Sequence, residues 1–120
     1  MEFVISVAPR TKKNSNQIIQ VNGRLMVVPS KAYKKYEKEC KPYMPKLQAP
    51  ISKPVNVCAL YYMPTRRMPD LCNLHEALCD VLVKYRIVAD DNAKIIVSMD
   101  GSRVLYDKEN PRTEVYITEI

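Results

Sequence analysis

A chain of 120 residues, 47% hydrophobic, carries 19 Lys or Arg against 13 Asp or Glu, a formal net charge of +6. That length can bury one core without disulfides or a structural metal, and it predicts a single domain over 1–120. Four cysteines spaced 18, 14 and 7 apart match neither paired Cys-x-x-Cys zinc ligands nor a secreted disulfide framework, and one histidine, His75, excludes a histidine-rich zinc site.

In chain order, Phe3, Ile5 and Val7 alternate behind Glu2, which reads as a first strand and lacks the basic start of a signal peptide. An intracellular, cytoplasmic protein is expected. Residues 17–21 and 24–28 flank Asn22-Gly23, a strong signal for a type I′ hairpin. Ser30 is placed to cap a helix that gathers Tyr33, Tyr36 and Cys40 on one face and Lys31, Lys34, Lys35, Lys38 and Lys41 on the others, ending by Pro42 to Pro45. Residues 44–54 hold three prolines and predict an extended connection. Residues 55–63 then read as a largely buried strand, the longest apolar run, far short of the roughly 20 residues a membrane span needs. No membrane partner is expected.

A basic turn, PTRRMP, leads to a second helix over 70–84. Leu71, Leu74, Ala77, Leu78, Val81, Leu82 and Tyr85 form its core stripe. Nearly opposite, Cys72, Glu76, Cys79 and Val83 make a second stripe, expected to face a partner subunit or a shielded groove, where Glu76 would need pairing or a metal. His75 is expected at the surface or lining a groove. A β-rich stretch from 93 to 106, broken at Asp100-Gly101, and a final strand over 113–120 complete the chain. Strand 55–63, helix 70–84 and strand 93–99 make a β-α-β crossover with parallel strands. The fold class predicted is α+β: a mixed β-sheet with two main helices in the order β-ββ-α-β-α-β-β.

Charge is segregated along the chain. Residues 1–69 hold 13 Lys or Arg against 3 acids, and residues 70–120 hold 6 against 10. A basic half attracts a polyanion, and an acidic half can bind a hydrated cation, so nucleic acid is the substrate class the split favours. The helix over 70–84 is about 21 Å long, and the seven residues 85–91 can span about 23 Å when extended. The chain can thus run back and bring Asp90 and Asp91 beside Asp70, with Glu76 one to two turns below. Converging carboxylate oxygens suit Mg²⁺, with Mn²⁺ able to substitute, and no small-molecule cofactor is expected.

The run Pro69-Asp70-Leu71, Asn73-Leu74, then Asp80-Val81-Leu82 and Asp90-Asp91 resembles the core signature of the RusA family of Holliday junction resolvases, including many of phages and prophages. Lys12-Lys13-Asn14, the Pro29-Ser30-Lys31-Ala32-Tyr33 helix start, Arg66-Arg67 and the closing Thr118-Glu119 strand sit where that family has corresponding features. The resemblance implies a RusA-like fold and a homodimeric, Mg²⁺-dependent endonuclease placing paired nicks across a four-way DNA junction. The site expected from the residues and the resemblance together has Asp70, Glu76 and Asp91 as catalytic and metal-binding, Asp90 as a further metal ligand, and Lys12, Lys13, Asn14, Arg66, Arg67, Asn73 and Lys94 as DNA contacts.

Two departures qualify the match. The family commonly has a second Asp where this chain has Cys72, and a catalytic Lys where it has Glu76. A protonated thiol is a poor Mg²⁺ ligand, and residues 72 and 76 are one turn apart on one face, so Glu76 is read as a relocated ligand. Lys94 or an arginine of the 66–67 turn is placed to stand in for the lysine. The alternative reading is a RusA-like dimer that binds branched DNA without cutting it. An unrelated RNA-binding domain lacks support, since the chain has no Trp, one Phe and no aromatic stacking platform.

Overall fold

The computed structural model describes residues 1–12, 16–29 and 31–120. Ten elements follow in order: β1 (Glu2–Ile5), β2 (Asn16–Val21), β3 (Arg24–Pro29), α1 (Lys31–Cys40), a 3₁₀ turn (Lys41–Tyr43), β4 (Val55–Met63), α2 (Leu71–Lys84), β5 (Ile96–Ser98), β6 (Arg103–Tyr106) and β7 (Arg112–Glu119). This is an α+β chain with a mixed sheet and two helices, as the sequence predicts.

β4 is the centre of the main sheet. It pairs antiparallel with β7, which pairs antiparallel with β1, and on its other side it takes β5 and then β6, both parallel. The crossover through α2 therefore joins parallel strands. The β-rich stretch breaks at Asp100-Gly101, as expected, and the break separates β5 from β6. Gly101 turns with φ +87, and a Cβ there would lie 3.1 Å from Cys58 Sγ. Across that gap the Ser102 hydroxyl accepts from the Ala59 N–H at 3.0 Å, and Asn56 Oδ1 accepts from Asp100 N–H at 2.8 Å, so side chains replace missing ladder bonds.

Register fixes which face is core. Tyr61, Ala59 and Val57 sit opposite Thr113, Val115 and Ile117, while Ile5 and Phe3 sit opposite Thr113 and Val115. These residues share one face, and that face packs against Leu74, Ala77, Leu78, Val81 and Leu82 of α2 and Tyr33, Tyr36 and Cys40 of α1. Both helical stripes predicted for the core are thus found there.

The hairpin takes a form the sequence did not indicate. Asn22 and Gly23 have φ of 52 and 77, as a type I′ turn requires, but β2 and β3 form their own two-stranded sheet apart from the main one. Ser30, the predicted cap of α1, lies outside the described residues. The proline-rich connection is extended as expected, and Ile51 bridges Val88 in parallel, exchanging bonds with Ile87 O and Ala89 N–H at 2.9 Å each. All four cysteines are free thiols. Among the described residues no helix is long and apolar enough to cross a membrane.

Candidate active site

The register also decides which loops meet. Ile5 and Tyr61 both pair with Thr113, so β1 and β4, each antiparallel to β7, end at the same edge of the sheet. The segments that leave them, 6–12 and 64–70, emerge side by side over the start of α2. They enclose a cleft of about 460 Å³ lined by Pro9, Arg10, Thr11, Met63, Thr65, Arg67, Met68, Pro69, Asp70 and Asn73.

Asp70 is the N-cap of α2, with extended backbone at φ −64 and ψ 130, yet its side chain makes no cap bond. Its backbone carbonyl takes the N–H groups of Asn73 and Leu74, while its exposed carboxylate accepts only a 3.3 Å bond from Asn73 Nδ2 among the described residues. This carboxylate shares the cleft with the guanidinium-bearing Arg10 and Arg67. Of the residues predicted to act together, the fold brings Asp70, Asn73 and Arg67 to one place.

Others stand elsewhere. Lys12 Nζ donates to Asp80 Oδ2 at 2.5 Å and lies 6.0 Å from the centre of the Tyr33 ring. This bond, more than the nearby charges of Glu76 and Glu37, raises the lysine above its ordinary pKa and keeps it cationic. Lys12 thus ties the end of the first loop to the middle of α2. Arg66 stacks on Tyr106 at 4.6 Å and remains exposed. Lys94 is exposed and its backbone N–H donates to Asn92 Oδ1 at 3.0 Å. Lys13 and Asn14 lie outside the described residues.

The second stripe of α2 is not an open apolar face. Cys79 is buried and Val83 packs on the core, leaving Cys72 and Glu76 exposed, so Glu76 bears no burial penalty. Burial first, then Asp91 and Asp80, raises the Cys79 thiol to about 11. His75 is half-buried rather than a simple surface group. Desolvation lowers its pKa and raises that of Tyr61, and the Tyr61 hydroxyl and His75 Nδ1 share a hydrogen bond of 2.7 Å.

The returning segment is positioned by the end of α2. Arg86 takes φ 61, and the N–H groups of Arg86 and Ile87 reach Val83 O and Leu82 O at 3.1 and 2.9 Å. This is the Schellman pattern with arginine in the glycine position. Ile87 and Val88 then enter the core, and the chain surfaces at Asp90. Asp90 accepts from Asp91 N–H and from Asn92 Nδ2, each at 2.8 Å, and the first of these bonds contributes most to holding its carboxyl below the usual range. Asp90 therefore shapes its own turn, as acids in turns commonly do. Asp91 is exposed beyond it. Among the described residues no three His, Cys, Asp or Glu side chains group closely enough to cage a metal ion.

Arg10, Thr11 and Thr65 are cleft residues that sequence reasoning missed. The available signal was that both flanking strands run into loops bearing arginine, but strand order was needed to make those loops neighbours.

No curated protein matches the chain significantly. The family model described as Endodeoxyribonuclease RusA matches residues 6–118, a span that includes both loops of the cleft, the whole of α2 and the Asp90-Asp91 turn. The chain belongs to the RusA endodeoxyribonuclease family.

Proposed function

We propose that this chain is a metal-dependent endonuclease that resolves four-way DNA junctions as a homodimer, by paired nicks related by a two-fold axis. Family membership supports the substrate, and the observation that carries the chemistry is the uncapped, exposed Asp70 carboxylate in a cleft it shares with Arg10 and Arg67. One cleft per chain and two cuts per junction make a symmetric dimer the economical assembly.

Arg10 and Arg67 draw the phosphodiester into the cleft, and Asn73 fixes the rotamer of Asp70. The absence of a three-sided cage among the described residues is compatible with Mg²⁺, which keeps several waters and binds through one or two carboxylates together with substrate phosphate oxygens. Asp70 is the direct oxygen donor we assign, with Asp91 and the relocated Glu76 reaching the ion through waters it would keep, while Asp90 orients Asp91. Bound Mg²⁺ or Mn²⁺ would supply an activated water and neutralise charge on the reacting phosphate. Lys12, engaged by Asp80, holds the first loop in place.

Cys72 favours a second reading, a dimer that binds branched DNA without cutting, because an exposed thiol stands where the family commonly has an acid. A labelled synthetic four-way junction incubated with Mg²⁺ or with chelator separates the two. We expect paired nicks with Mg²⁺ and none with chelator, and loss of the nicks but not of the bandshift in Glu76→Gln. A bandshift with no nicks from the native chain would favour the binder, and full cutting by Glu76→Gln would remove Glu76 from the site.

A further inference from the structure

We propose that the outer face of α1 is a second DNA-contact surface, a lysine-lined trough that holds the phosphate backbone of a duplex arm away from the point of cutting. Lys31, Lys34, Lys35 and Lys38 recur at i, i+3, i+4 and i+7, which places all four within one stripe about 100° wide. Tyr33, Tyr36 and Cys40, the buried residues, lie on the opposite side of the helix, so the stripe points straight out and its four lysines are exposed. Lys84 joins them from α2, held by its 2.8 Å bond to Glu37, and together these residues line a trough of about 550 Å³.

Like charges at these spacings weaken a helix, and a face selected for solubility alone would interleave acids. Here the two acids of α1 stand on the flanks of the stripe. Glu37 is engaged by Lys84, and Glu39 lies 3.7 Å from Lys35. The stripe keeps a net positive surface, which suits an external polyanion. From Lys31 to Lys38 it rises about 10.5 Å at 1.5 Å per residue, which matches about three base steps of a duplex at roughly 3.4 Å of helix axis each. No residue lines both this trough and the Asp70 cleft, so the trough grips DNA at a separate place. The inference rests on the junction-nuclease reading, since a four-way junction offers duplex arms beyond its crossover.

The test combines Lys31→Gln, Lys34→Gln, Lys35→Gln and Lys38→Gln in one chain, because glutamine keeps the helix propensity of lysine. Junction binding is measured in chelator from 50 to 200 mM salt. The plot of log affinity against log salt is expected to flatten by about 3 for the quadruple variant and by about 1.5 for Lys34→Gln with Lys38→Gln. Unchanged slopes in both variants would overturn the proposal, as would lost affinity for polyglutamate with DNA affinity intact. The underlying reading fails differently: it falls if the native chain with Mg²⁺ leaves the junction uncut, whatever the slopes.

Discussion

The two ends of α2 are built on opposite principles. At its C-terminal end the turn is closed on the helix: Arg86 in the left-handed region completes a Schellman motif, and Ile87 and Val88 are 0 and 1% exposed against the core. At its N-terminal end Asp70 forgoes the side-chain cap that an Asp there usually makes, a sacrifice of about 1 kcal/mol. The sealed end anchors the helix, and that anchorage allows the other end to leave a carboxylate without a cap bond in an open cleft, held only by Asn73 among the described residues. The difference separates residues that hold the fold from those left to the cleft.

Substitutions can break that contrast from either side. The largest effect on stability is expected from Leu82→Ala, which keeps the backbone carbonyl that accepts from Ile87 N–H but removes a fully buried side chain beside it, and should cost about 3 kcal/mol in urea unfolding. A loss under 1 kcal/mol would show that the C-terminal end is not the anchor. Asp80→Asn removes the counter-charge of Lys12. Because both side chains are about a third exposed, we expect a stability loss of only about 0.5–1 kcal/mol, together with faster amide exchange across residues 9–12 as that loop loosens. Protection unchanged there would deny the pair its positioning role. The smallest effect is expected at Arg86, where glycine relieves a left-handed conformation but loosens the unfolded chain; Arg86→Gly should stabilise by about 0.5 kcal/mol in thermal unfolding. Destabilisation would mean that the arginine side chain holds the turn in some other way.

Local patterns made much of this architecture legible from sequence. The 3.6-residue periodicity of α2, the Asn22-Gly23 turn and the alternation in β4 each depend on near neighbours, and each is found where the pattern put it. What the patterns missed was set by long-range pairing. Arg10, Thr11 and Thr65 join Asp70 only because β1 and β4 flank β7 in register at Thr113. The second stripe on α2 divides for the same reason: Cys79 and Val83 are covered by neighbours that angular position along one helix cannot reveal, while Cys72 and Glu76 are exposed. Asp90 and Lys12 illustrate a third kind of difference. Both have side chains whose chemistry suits a site, but Asp90 bonds within its own turn and Lys12 to an acid 68 residues away.

The central claim is that the open end of α2 performs the cutting, and Asp70→Asn tests it most directly. Asparagine is as good an N-cap residue as aspartate, so the fold and the cleft should be kept while the anionic oxygen is lost. With a labelled four-way junction and Mg²⁺, we expect the native chain to make paired nicks and Asp70→Asn to bind the junction with similar affinity and leave both strands intact. Nicking by Asp70→Asn at the native rate would contradict the account.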